Sequence, residues 1–371
     1  MRRLVIVLVL AAATSAGAEL IDRLDTPVLG GLGRALAVSV GKSLPIPSAS
    51  SGITFTFNPR TSAFERDTEV LGQLFLERAH PIGAGRLNVS LTYQYVAIDT
   101  FGRHDLDSLS DRRPIREGAT DFIIPHFDLE LITHEITTSV TYGVTDDLEV
   151  NLTIPVLHTT LDIEPQLVQL GGGRTQGGSE HDTEIGIGDV FLRGKYRLLR
   201  GRWGELAAGL IFRLPSGNED DFQGTGLFEV SPRLYASTPL VTLAPLVRVQ
   251  GYLNAGLDLT PEDSSRGEGR YGVGIDVMLA TRVTLSVAFL AREPFARLVP
   301  PGTMDVPRAD GTRSPIFGLS PGHPSYYDVS VGGRVNLWRD TVFLIGNVVV
   351  PANRDGVRAS VIPLIGIEAT F

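Results

Sequence analysis

The chain is expected to fold as an all-β transmembrane antiparallel β-barrel of about 14 strands, with short periplasmic turns and long extracellular loops. Three observations carry that expectation. Apolar residues recur every second position, short and long connections alternate, and an aromatic residue closes an alternating final segment.

The period of two is clearest from Arg86, where Leu87, Val89, Leu91, Tyr93 and Tyr95 share one face and Asn88, Ser90, Thr92 and Gln94 the other. Strict alternation of this kind marks a strand with one apolar and one polar face. It recurs in Leu148–Val156, Tyr271–Leu279, Val283–Phe289 and Tyr327–Val335. Fourteen such segments begin near Ile53, Val70, Arg86, Leu129, Leu148, Glu184, Glu205, Thr225, Val241, Gly269, Val283, Tyr326, Val342 and Arg358. The number becomes 12 if the segments near Ile53 and Val70 stay outside the barrel.

Short connections fall at 80–84, 144–147, 199–203, 238–240, 280–282 and 338–340. Long ones fall near 98–125, 158–183, 214–224, 255–268, 293–324 and 351–357. Turns at one end and loops at the other are the asymmetry of outer-membrane barrels. Tyr142, Tyr196, Trp203, Trp338 and Phe371 sit beside the short connections, where interfacial aromatic rings gather. Phe371 ends the chain in phase with Ala369, Ile367, Ile365, Pro363 and Val361, and is expected to serve as the signal read by the outer-membrane assembly machinery.

At the other terminus, Arg2 and Arg3 precede the apolar run Leu4–Ala13 and the small residues Ala16-Gly17-Ala18. This reads as a signal peptide, residues 1–18, cleaved after Ala18. The run is too short to span a bilayer, which takes about 20 apolar residues. Residues 19–50 are expected to form either a periplasmic tail or a lumen plug, with Gly30-Gly31-Leu32-Gly33 and Pro45 and Pro47 inside them. Residues 51–371 are assigned to the barrel, whose lipid and lipopolysaccharide surroundings would be its immediate partners.

Composition narrows the function. The chain has 371 residues, 33 Lys+Arg against 42 Asp+Glu, and no Cys. A net charge of −9 without a basic cluster argues against nucleic acid as a partner. Absent cysteine excludes thiolate chemistry and disulfides. No nucleophile elbow, zinc helix or P-loop occurs, so neither catalysis nor a cofactor or metal is expected. His104-Asp105, His181-Asp182 and Glu219-Asp220-Asp221 read as solvated loop residues.

Phase places Glu135, Glu149, Arg193, Lys195, Arg197, Arg213, Glu229, Arg233, Arg248, Asp276 and Arg334 on the inward face. Both signs are present, which suits internal ion pairs or a charged constriction. Leu71, Phe75, Phe191, Ile211, Leu246, Met278, Leu290, Phe343, Ile345, Ile362 and Leu364 fall on the same face and suit a plug or a path for apolar solutes. The expected pore lining is therefore Glu135, Glu149, Phe191, Arg193, Ile211, Arg213, Glu229, Arg233, Arg248, Asp276, Met278, Arg334 and Phe343. Alternation slips near Gly186-Ile187-Gly188-Asp189, as a β-bulge or an inward Ile187 would require.

The stretches TYGVTDDLEVNLTIPVL (141–157), GIGDVFLRGKYRLL (186–199) and LIFRLPSGNEDDFQGTG (210–226) resemble the outer-membrane family named for the MetA pathway of phenol degradation. The architecture is also similar to the long-chain fatty acid transporter family, and Gly31-Leu32-Gly33-Arg34-Ala35 resembles the start of that family's amino-terminal hatch. The resemblance implies passive uptake of small hydrophobic or aromatic solutes. A general diffusion porin and a structural or surface-interaction barrel without a transport role stand as alternatives.

Overall fold

The computed structural model describes residues 19–24, 30–43, 48, 54–58, 63–68, 75–111, 113–117, 121–169, 174–176, 179–279, 282–297, 305–319, 322–338 and 341–371. The segment read as a signal peptide and Leu71 lie outside them.

Twelve antiparallel strands close into a ring. They are β1 (Leu87–Phe101), β2 (Asp121–Gly143), β3 (Leu148–Gln169), β4 (Glu180–Ile187 and Val190–Gly201), β5 (Gly204–Leu214) and β6 (Glu229–Ser237 continued by Val241–Ala244). The ring goes on through β7 (Val247–Asp258), β8 (Glu268–Leu279), β9 (Val283–Pro294), β10 (Tyr326–Trp338), β11 (Val342–Pro351) and β12 (Ile362–Thr370). The seam joins β12 to β1 from Leu364↔Gln94 to Thr370↔Asn88. The count is 12, the lower of the two expected from the sequence. Among the described residues, Thr54–Asn58 and Ala63–Thr68 pair only with each other, outside the ring.

Two connections differ from the sequence reading. Thr238–Leu240 is a break within β6, and the hairpin turns one stretch later, between Ala244 and Val247. Leu246, expected inward, is exposed at that turn. Residues 80–84 are not a turn between strands; they belong to an extended strap, residues 75–84, that is almost entirely buried. The slip near Gly188 is a β-bulge: Ile187↔Val156 and Phe191↔Thr153 leave one extra residue on β4.

Strands β2 and β3 run for 23 and 22 residues, about twice what a bilayer needs. Their pattern changes phase content halfway. Near the short turns, β2 turns Thr133, Glu135, Thr137, Ser139 and Thr141 inward, and Ile136, Val140 and Tyr142 outward. Beyond His134 the inward residues become Leu131, Leu129, Phe127 and Ile123, while Glu130 and Asp128 face out. The segments expected as loops at 98–125 and 158–183 are therefore largely sheet that continues above the bilayer into water. Tyr93, Tyr95, His134 and His158 mark the change of level; the Tyr93 hydroxyl lies 2.8 Å from His134 Nδ1.

Above that level the interior is a dry core. Helix α1 (Gly30–Ser43) buries Leu36, Ala37 and Val40 against Val96, Ile98, Leu129, Leu131, Leu161 and Val357. A cap of extracellular segments adds Leu106, Leu109, Val306, Ile316 and Phe317 to the same cluster. Arg308, with 2% of its side chain exposed, fastens the cap. It donates to Asp111 (2.7 Å), Ser314 Oγ (2.7 Å) and the Pro315 carbonyl (2.6 Å), and Asp111 also accepts from the Phe317 amide (2.9 Å).

The level change makes opposite demands on one strand. Val140→Arg, on the outward face about midway between His134 and the turn after Gly143, is expected to destabilise the reconstituted barrel by about 2–4 kcal/mol. Glu130→Arg, ten residues higher on the same face, is expected to change stability by less than about 1 kcal/mol. Urea unfolding in phospholipid vesicles measures both.

Candidate functional site: an obstructed lumen

The interior positions are ordered by charge pairing, because a buried carboxylate or guanidinium is tolerated only when paired and hydrogen-bonded. The bulge on β4 serves that need. It turns Asp189, 2% exposed, into the lumen, where Asp189 accepts from Arg213 Nε (2.6 Å), the Thr225 amide (2.9 Å), Thr225 Oγ1 (3.0 Å) and the Gly217 amide (3.1 Å). The loop 215–228 is thereby folded inward, with Phe222, Gln223 and Thr225 buried.

Arg213 then reaches α1, donating from Nη2 to the Gly41 carbonyl (2.6 Å). Lys42 Nζ lies 2.9 Å from Glu229 and donates to the Arg266 carbonyl (2.6 Å). Gly41 abuts the Gly224 carbonyl, where a Cβ would collide. The preceding turn, Leu20–Leu24, is held by Leu20 N to Asp221 Oδ1 (3.0 Å), Ile21 N to the Asp220 carbonyl (2.9 Å) and Arg23 to Asp182 (3.0 Å). Burial pushes the Asp221 carboxyl up from its ordinary range.

The strap crosses the periplasmic half. Leu76 packs with Tyr252 and Ala288, and Ala79 with Ala207 and Tyr235. Ala79 N donates to Ser237 Oγ (2.8 Å), Ile82 N to Glu149 Oε2 (2.7 Å) and Ala84 N to Asp146 Oδ1 (3.1 Å). Lys195 donates to the Arg78 carbonyl (3.0 Å) and pairs with Glu149 (2.7 Å) and Glu77 (3.7 Å). His80 Nδ1 lies 2.9 Å from Glu205, which Arg197 and Arg200 also approach.

Between helix and strap is a cavity of about 210 Å³. Phe75, Leu76, Phe191, Ile211, Tyr235 and Leu290 give it apolar walls. Lys42, Glu77, Arg193, Arg213, Glu229, Arg233, Asp258, Arg270 and Arg292 give it charge. Most of that charge is paired: Arg233 with Asp258, Arg270 with Asp258 (2.6 Å), Arg193 with Glu77 (3.4 Å).

Of the residues placed inward from the sequence, Phe191, Arg193, Ile211, Arg213, Glu229 and Arg233 line this cavity. Glu149 holds the strap, and Arg334 pairs with Glu368 (3.0 Å) beneath it. Glu135 is buried under hydrogen bonds from Gln94 (2.7 Å) and Thr137 (2.5 Å). Asp276, Met278 and Phe343 are buried in the wall's inner layer, and Arg248 sits half-exposed at the β6–β7 hairpin. Phe371 is 65% exposed, and its amide and carbonyl pair with those of Leu87. Sequence phase missed Lys42, Glu77, Arg78 and Asp258. The run Glu77-Arg78-Ala79-His80-Pro81, which breaks alternation, was the available sign of a segment that is not wall.

No family model matches the chain, and no curated protein matches it. Solved structures similar to it include an outer membrane channel from Pseudomonas putida F1, 12% identical, covering 81% of this chain and 100% of that one, with a TM-score of 0.49. Others are the Ralstonia pickettii toluene transporter TbuX (9% identical, 78% and 90% covered, TM-score 0.35) and a Pseudomonas aeruginosa FadL homologue (8% identical, 77% and 90% covered, TM-score 0.30).

Asp189 joins four donors from β5 and the inward loop, so Asp189→Ala leaves buried amides unpaired and Arg213 with only Glu229 (3.5 Å) as a counter-charge. It is expected to cost about 3–5 kcal/mol and to lower the thermal midpoint in detergent. Asp189→Asn, which keeps shape but loses charge, is expected to fall between that variant and the parent.

Proposed function

We propose that the chain is an outer-membrane channel for passive uptake of small hydrophobic or aromatic compounds, with no chemical reaction involved. The observation that carries the reading is the cavity itself: a small chamber with aromatic and aliphatic walls, set in a lumen otherwise filled by residues 19–24, 30–43 and 75–84. A water-filled porin has no use for such obstruction, since ion flow needs a continuous aqueous path.

In this reading residues 19–43 act as a hatch and the strap as a floor. A solute enters past the Arg308-fastened cap, rests in the cavity against Phe75, Phe191 and Leu290, and leaves when the hatch shifts. The upper part of β4, Glu180–Ile187, pairs with β3 alone among the described residues. Its other edge is flanked by Leu20–Leu24 and the inward loop, so a sideways exit requires only those segments to move. Arg23 holds Leu20–Leu24 there through partly exposed ion pairs with Asp182 (3.0 Å) and Glu180 (3.6 Å), each individually modest.

Entry of radiolabelled toluene and of a radiolabelled fatty acid into cells with and without the protein tests the reading. Toluene entry is expected to fall on deletion; equal rates for every solute would overturn it. In planar bilayers the parent is expected to conduct poorly, and removal of residues 19–43 to raise conductance about tenfold or more by clearing the lumen. High conductance of the intact protein would favour the diffusion porin instead.

A further inference from the structure

The outer wall carries a second concavity. On the lipid side of β5–β9, toward the short turns, lies a groove of about 1000 Å³. Its floor is made by small residues at outward positions, Ala236 on β6 and Gly251 on β7. Leu206 and Trp203 bound one side; Leu253, Val273, Ile275 and Phe289 bound the other. The break in β6 creates the depression. Pro239 has no amide to pair, and the strand is held across the break by Thr238 N to the Gly251 carbonyl (2.9 Å) and Gly251 N to Thr238 Oγ1 (2.9 Å).

The groove's lower end is polar and basic. The β4–β5 turn places Arg200, Arg202 and the 81%-exposed Trp203 there, with the Arg202 guanidinium 4.8 Å from the Trp203 ring centre. Glu205, which lines the groove, approaches Arg200 (3.3 Å) and is already engaged by Arg197 (3.5 Å) and His80 (2.9 Å) from the lumen side. Arg200 and Arg202 thus face one carboxylate whose charge is shared, which leaves a positive surplus at this end of the groove.

We propose that this groove binds one anionic glycerophospholipid of the periplasmic leaflet, with an acyl chain along Ala236 and Gly251 and the phosphate at Arg200 and Arg202. Guanidinium groups match phosphate oxygens in a two-pronged fashion. An indole beside them fixes the headgroup level. An acyl chain seated in a concave apolar floor buries area that a flat wall leaves to mobile lipid. The proposal needs a lipid-facing wall and is independent of what crosses the lumen.

The chain has two tryptophans, so Trp338→Phe leaves Trp203 as the reporter. This protein is reconstituted into phosphatidylcholine vesicles containing stepwise fractions of phosphatidylglycerol with brominated chains, and quenching is read as a relative binding constant. Heat-modifiable migration on gels verifies insertion. The parent is expected to prefer phosphatidylglycerol, and Arg200→Gln with Arg202→Gln to lose about fivefold per arginine. Gly251→Leu, which fills the floor and keeps every charge, is expected to abolish the preference as well. If Gly251→Leu retains it, the arginines act as plain surface charge and the groove binds no lipid. Random quenching of the inserted parent, or a dimer that shields Trp203 from bromine, overturns the proposal equally. Failure to insert at all overturns it together with the membrane reading.

Discussion

Backbone amides in hydrocarbon have no water to bond, so a wall that enters a bilayer must pair every edge it exposes. That requirement closes the twelve strands into a ring through the β12–β1 seam and settles nearly everything inside it. Once apolar side chains are committed to the outward phase, the alternate positions carry the chain's polar and charged groups into an enclosed space. There they must find partners. The strap and α1 supply them: Lys42 meets Glu229, Glu77 meets Arg193 and Lys195, and backbone amides of the strap reach Glu149 and Asp146. Obstruction of the lumen is therefore also the neutralisation of its walls.

The same ring contains two solvents' worth of design. Below His134 and His158 the molecule is inside out, apolar to the exterior and hydrogen-bonded within. Above them β1–β3 reverse the arrangement and enclose a hydrophobic core in which α1, the cap and the upper wall pack as they would in a water-soluble domain. A single strand such as β2 changes allegiance without changing register, because only the residue types at each phase are exchanged. The stability of the cap then comes from apolar burial and from the Arg308–Asp111 cluster, whereas the lower wall relies on lipid.

Much of this was readable beforehand. Period-two patterning located all twelve wall strands, and the glycine-flanked slip at Asp189 marked the bulge. Pattern alone leaves the wall count open between 14 and 12, because residues near Ile53 and Val70 alternate locally and alternation does not reveal a strand's partner. Residues 238–240 read as a short connection between strands, yet the ladder resumes beyond Pro239 through Thr238 and Gly251. The cavity was half legible. Phase identified Arg193, Arg213, Glu229 and Arg233, which belong to the wall. Lys42 and Glu77 belong to segments that enter the lumen from outside the ring, and no periodicity encodes which wall residue such a segment will meet.

The filling precedes the wall in the chain: Leu20–Leu24, α1 and the strap all come before β1. Their partners are scattered from β1 to β9, and the cap covers the upper end. Helix α1 is enclosed between that cap and the strap. Closing the β12–β1 seam around segments already in place spares them a later passage through either end. These segments are thereby a template for closure as well as an obstruction of the lumen, so sequence changes within them bear on assembly of the wall itself.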